Sequence, residues 1–271
     1  MFRVCIMIPV LLLLFTSTFA WLPVIPYPDN NDRHFNPIDS TKTASGMVYI
    51  YRIKAGTSNM YLISSPEGMI LIDAGWPGFE QRVVRLLNRL HRTDLRLIII
   101  THGHFDHYGS AAAIRRLTGA VIAIHKLDEP FMAKGITPLG KKHGMGKLSS
   151  LLLPFGEFFL RPEPAFANIV FNESFNLIPY GLNGYVLHTP GHTYGSCTVL
   201  INNEYAFTGD LLCNAGGSIQ SQRFFAFNWD VQAYSLILLK SIAPQRCFPG
   251  HGEKTIELNN FLNLVPLQVV K

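Results

Sequence analysis

No C-x-x-C pair occurs in this 271-residue chain, which excludes a cysteine-rich structural zinc module. Charge is also scarce. Only 15% of residues are Asp, Glu, Lys or Arg while nearly half are apolar, a balance that excludes intrinsic disorder. No internal repeat is legible, so a solenoid or propeller is not expected. The net charge of +5 raises the question of an anionic partner. Its most visible cluster, Arg82, Arg85, Arg89 and Arg92, recurs at helical spacing opposite Val83, Leu86, Leu87 and Leu90, as on the solvated face of an amphipathic helix. No aromatic stacking pattern accompanies it, so no nucleic-acid partner is expected. The length suits one enzyme-sized α/β unit with a substantial core.

The first twenty residues are expected to be a signal peptide. Arg3 supplies the positive start, Val4 to Phe15 the apolar core, and Thr18-Phe19-Ala20 a small-x-small cleavage site. The segment is short beside the roughly twenty apolar residues of a membrane span. Export with cleavage after Ala20 is the expected fate, and an uncleaved membrane anchor is the alternative. Cleavage would leave Cys197, Cys213 and Cys247. An odd set argues against a disulfide framework, although one pair among the three stays open.

A connector rich in Pro, Asn and Asp, 21–45, precedes the domain expected over 46–271. Met47–Ile53, Met60–Ile63 and Met69–Ile72 read as antiparallel strands. Strands and helices then alternate: helix Pro77–Leu90, strand Leu97–Ile100, helix Ser110–Leu117, strand Ala120–Ile124. Leu127–Phe166 breaks the rhythm and reads as an insertion whose apolar clusters, Leu151–Phe155 and Phe158–Leu160, would cover a pocket near the cleft. Strands resume at Ile169–Phe171, Gly184–His188, Cys197–Ile201, Tyr205–Phe207 and Arg246–Phe248, with helices at Asp230–Ile242 and near Glu253–Leu262.

What is abundant is metal-ligand chemistry. The segment T-H-G-H-F-D-H-Y-G carries His102, His104, Asp106 and His107 directly after an apolar strand. Imidazole and carboxylate groups are accepted by zinc and neighbouring divalent metals. In an extended segment residues two apart point the same way, so His102 and His104 can grip one ion while Asp106 and His107, past the bend, reach a second. Three later turns add His192 in T-P-G-H-T, Asp210 in T-G-D and His251 in P-G-H-G, each after a strand and each beside a glycine that permits a tight bend. Four ligand-bearing turns at strand ends point to one converging site. His125 and His188 read as structural.

These elements, taken in order with Leu71-Ile72-Asp73-Ala74-Gly75, resemble the metallo-β-lactamase superfamily. The resemblance spans 47–255 and implies an αββα sandwich of two mixed sheets with its metals at one edge. It implies that His102, His104 and His192 hold a first metal, Asp106, His107 and His251 a second, and that Asp210 bridges them, with Asp73 bracing the site. Two zinc ions are the implied cofactor, with iron or manganese as substitutes. Ions about 3.5 to 4 Å apart can share a water and lower its pKa toward neutrality, so that hydroxide attacks and Asp106 orients it or shuttles its proton.

Departures from the subfamilies narrow the substrate. The superfamily's true β-lactamases place Cys or Ser where this chain has Asp210, which disfavours β-lactam hydrolysis. Glyoxalase II relatives share Asp210 and His251 but continue into a helical domain, whereas twenty residues follow His251 here. Lactone hydrolases carry a tyrosine at the position of Cys213. The expectation is an exported dinuclear zinc hydrolase acting on a small ester, thioester or lactone. An iron-dependent oxidoreductase on the same fold and a metal-bearing ligand-binding protein are the alternatives.

Overall fold

The computed structural model describes residues 36–43, 45–138, 140–142, 162–215, 218–221 and 225–264. The leader and both apolar clusters of the insertion lie outside the described residues. Among the described residues no helix is long and apolar enough to cross a membrane.

Two half-sheets face each other. The first runs β1 (Asp39–Thr43), β2 (Gly46–Ala55), β3 (Ser58–Ser65), β4 (Gly68–Ile72), β5 (Leu95–Ile100), β6 (Val121–His125) and β8 (Ile169–Phe171), antiparallel up to β4 and parallel from there. The second runs β9 (Ser174–Asn176), β10 (Gly184–His188), β11 (Cys197–Ile201), β12 (Tyr205–Ala215) and β15 (Arg246–Gly252). β13 (Ser218–Ser221) flanks β12, and β16 (Ile256–Glu257) flanks β15. The halves are joined by one pairing, His251 of β15 with Ser58 of β3.

Side-chain parity explains why the strands read as nearly continuous apolar runs: both faces are covered. From the first half, Tyr61, Ile63, Ile70, Ile72, Leu97 and Ile99 point inward against Val186, Val199, Phe207 and Phe248 of the second. Their neighbours Leu62, Met69, Leu71, Ile98 and Ile100 point outward onto α1 (Glu80–Arg89) and α3 (Ala111–Thr118), meeting Val83, Leu86, Leu87 and Ile114. On the far side, Leu200, Ala206 and Leu212 pack against Leu236 and Leu239 of α5 (Trp229–Ile242) and Phe261 of α6 (Leu258–Leu262). Helix, sheet, sheet and helix therefore stack in the expected α/β sandwich.

Several boundaries differ from the sequence reading. Residues Asp39–Thr43, placed in the connector, pair with β2 as an edge strand. The first helix begins at Glu80 because Pro77-Gly78 form a turn, with Gly78 at φ 86°. The last helix is confined to Leu258–Leu262, since 256–257 are spent on β16. The segment 127–166 is anchored in the fold at both ends. Asp128 is buried, and Met132 of α4 (Glu129–Lys134) shares the outer core with Ala165. Its stem includes β7 (Lys141–Lys142), paired with β14 (Phe225–Ala226). Cys197, Cys213 and Cys247 are buried, and among the described residues none of them forms a disulfide.

Candidate metal centre

Each ligand-bearing segment leaves the same end of the sandwich. Beyond β5 the chain bends through residues 101–103, is extended again at His104, and then turns into the single-turn helix α2 (Phe105–Tyr108), which carries Asp106 and His107. His192 lies in the loop between β10 and β11. Asp210 and His251 come from within strands rather than from turns, contrary to the sequence expectation. The β12–β15 pairing shifts register between Phe207 and Gly209 and again between Gly209 and Cys213, and this irregularity turns the ligands into the cleft.

Seven side chains converge in the two expected groups. Ligand atoms of His102, His104, His192 and Asp210 all lie within 4.8 Å of one another, as do those of Asp106, His107 and His251. Asp210 faces both groups. Its Oδ2 is 3.4 Å from His192 Nε2, and its Oδ1 is 3.4 Å from His107 Nε2 and 3.3 Å from His251 Nε2. Asp106 Oδ2 stands 3.4 Å from His251 Nε2 and 3.7 Å from His107 Nε2.

The outer nitrogen of every histidine is held, which fixes the ring and aims the other nitrogen inward. His104 donates through Nε2 to the Pro138 carbonyl (3.0 Å), His192 through Nδ1 to the Phe225 carbonyl (2.9 Å) and His251 through Nδ1 to the Thr57 carbonyl (2.9 Å). His107 Nδ1 meets Asp73 Oδ2 at 2.8 Å, and His102 Nδ1 meets Thr101 Oγ1 at 3.1 Å. Asp73 also accepts from the Thr101 amide and hydroxyl at 2.8 and 2.9 Å, so it braces both halves of the loop. It does so from the left-handed region, φ 59°, which an aspartate tolerates better than most side chains.

The donor set fits divalent metal. Because a carbonyl can only accept, the outer nitrogens of His104 and His192 carry the protons, leaving inward lone pairs that approach to 3.1 Å. Burial lowers the pKa of His104 and takes His192 down to about 3, so neither ring readily supplies a proton to relieve that contact. Burial, helped by the neighbouring His107, holds His102 well below its ordinary value, and its buried Nε2 has no hydrogen-bond partner. A cation among the three rings satisfies all of these atoms at once. At the second group burial opposes charge on His107 and His251, but the carboxylates win. Asp106, Asp73 and Asp210 raise His107 well above its usual range, and Asp210 and Asp106 bring His251 to about 9. Burial likewise opposes ionisation of Asp210, yet His251 and His107 hold it far below the carboxylate range. That pocket favours positive charge, whether proton or metal.

Sequence reasoning missed the partners that are backbone carbonyls, at Thr57, Pro138 and Phe225, because a carbonyl carries no residue-type signal. It also missed Asp128, which is fully buried and accepts from the amides of Gly103 and Gly195 and from Thr193 Oγ1. Outside the centre, His125 and His188 stack with ring centroids 3.9 Å apart, in keeping with a structural role.

Residues 53–251 match the family model of the metallo-beta-lactamase superfamily. A beta-lactamase-like protein 2 homolog of Drosophila melanogaster is 27% identical over 72% of this chain, which spans 58% of that protein's length. A probable metallo-hydrolase of Methanocaldococcus jannaschii is 30% identical over 73% of this chain and 88% of its own. A hydroxyacylglutathione hydrolase of Haemophilus influenzae is 28% identical over 62% and 73% respectively. Among solved structures, a protein crystallised in a di-iron-bound form superposes with a TM-score of 0.59 at 24% identity, covering 79% of this chain and 97% of that one. With the ordered motifs, the layered fold and the seven converging side chains all in agreement, the chain belongs to the metallo-β-lactamase superfamily.

Proposed function

We propose that this protein is an exported, dinuclear metal-dependent hydrolase that uses zinc to cleave a small ester, thioester or lactone. The observation that carries the two-metal reading is the division of Asp210, one oxygen toward His192 and the other toward His107 and His251. A pair of divalent ions there supplies Lewis acidity and water of lowered pKa. The chain's own contribution is orientation. Held outer nitrogens fix five imidazoles without rearrangement, and Asp106, at the edge of the second group with its side chain 15% exposed, is placed to orient water or accept its proton. No serine or cysteine nucleophile is required, consistent with Cys197, Cys213 and Cys247 being buried.

Acyl substrates are favoured by a relative that bears the name hydroxyacylglutathione hydrolase. β-Lactams are disfavoured by Asp210 at the position where the β-lactamases have Cys or Ser. Export rests on Arg3, the apolar core and Thr18-Phe19-Ala20, with a mature start at Trp21. The test is a screen of purified, metal-quantified protein across activated thioesters, esters and lactones, before and after chelation. Turnover should vanish with the metal and return with zinc; full turnover after exhaustive chelation would sink the reading.

A further inference from the structure

Asp128 lies outside the group of seven, yet it ties together the two loops that carry the histidines of the first group. Gly103, whose amide donates to Asp128 Oδ2 at 2.8 Å, sits between His102 and His104. Thr193, whose hydroxyl donates to the same oxygen at 2.5 Å, follows His192. Gly195, in the same loop, donates to Oδ1 at 2.8 Å. One carboxylate therefore spans from the β5 end of the first half-sheet to the β10–β11 loop of the second. The contact is close: a Cβ on Gly195 would lie 2.8 Å from Asp128 Cγ, so something there would have to shift, and one on Gly103 would lie a tight 3.3 Å from Asp128 Cβ. All three partners donate, so an acceptor-only carboxylate is the group that satisfies them.

We propose that Asp128 is a positioning residue for the first metal, setting the separation of the two loops and thereby the affinity of the His102, His104, His192 and Asp210 group. The proposal rests on the reading that these groups hold metal ions. Asp73 has the corresponding task elsewhere, since it holds Thr101 and His107. The centre thus has two separate braces, and loss of Asp128 weakens one metal selectively. An asparagine would keep the shape but turn an NH2 group toward a donor, breaking at least one of the three bonds.

The test uses zinc affinity, read by competition with a chromogenic chelator in two backgrounds. His251→Ala dismantles the second group and reports on the first; His102→Ala does the reverse. In the His251→Ala background, Asp128→Asn should weaken binding roughly ten- to hundredfold, as loss of outer-shell partners does. In the His102→Ala background no comparable loss is expected. Equal losses in both would mean a general structural role and would overturn the proposal, as would unchanged affinity in the first. If the parent protein binds no zinc, the metal reading itself fails, whereas normal binding by the parent with an indifferent Asp128→Asn overturns only the role of Asp128. Should Asp128→Asn not fold, Thr193→Val decides: it removes one of the three donors and should weaken the first group alone, and unchanged zinc affinity in that variant overturns the proposal.

Discussion

At the scale of single residues, the centre depends on groups that serve two neighbours at once. Asp73 is one such group, accepting from Thr101 twice and pairing with His107. Asp73→Asn should therefore lower metal affinity and turnover together by roughly ten- to hundredfold, which parallel metal titration and kinetics would check. A different dependence attaches to His125. Burial and the stacked His188 lower its pKa to about 4, below the roughly 6.5 of an unfolded chain. Between those values the unfolded state binds the extra proton, so His125 removes stability as pH falls from about 6.5 to 4 and no further below. His125→Gln should flatten the pH dependence of the urea midpoint across that window; an unchanged slope would contradict the assignment. The seven side chains that converge here were all legible in the sequence as candidate ligands, because His and Asp at these spacings have few other reasons to gather. Which ring nitrogen each histidine offers was not legible. His104 points Nδ1 inward while its neighbour His192 points Nε2, and the choice is made by carbonyls that no residue type announces.

At the scale of elements, function resides in irregular strands. β12 and β15 were read as ending at Phe207 and Phe248, because Gly209, Pro249 and Gly250 look like strand breakers. The structure carries both strands on through their ligands, accommodating the breakers as register shifts. Sequence patterns found these strands readily where they were apolar and lost them where they became functional. The close packing there has a direct consequence. A Cβ at position 250 would meet Asp210 Oδ1 at 2.6 Å and His107 Cε1 at 2.8 Å, so Gly250→Ala should displace two ligands and lower metal content. Retention of full metal content by a folded Gly250→Ala protein would show that the strand can yield. The insertion was only half legible, since Asp128 and Met132 look like loop residues until the fold buries them.

At the scale of the whole molecule, the metal centre and the inter-sheet core are two fastenings of the same halves. The first half supplies His102, His104, Asp106 and His107; the second supplies His192, Asp210 and His251. Away from that edge the halves are held by packing. Phe207 and Phe248 stack at 4.7 Å, with Tyr61 edge-on to both. Phe207→Ala should cost about 3–5 kcal/mol of stability while leaving the ligands in place, so denaturation should shift with metal stoichiometry unchanged. An α/β class was legible from strands alternating with helices, whereas the αββα layering was implied only by the resemblance of the ordered motifs, because strands buried on both faces are common to α/β folds in general. Bound metal should add to stability by mass action, since its ligands come together only in the folded chain. The central claim is that seven side chains make one two-metal centre across this seam, and the most direct measurement is an anomalous difference map from crystals of zinc-loaded protein at the zinc edge. Two peaks are predicted, one among His102, His104 and His192 and one among Asp106, His107 and His251, with Asp210 between them. A single peak, or peaks away from these residues, would contradict the account.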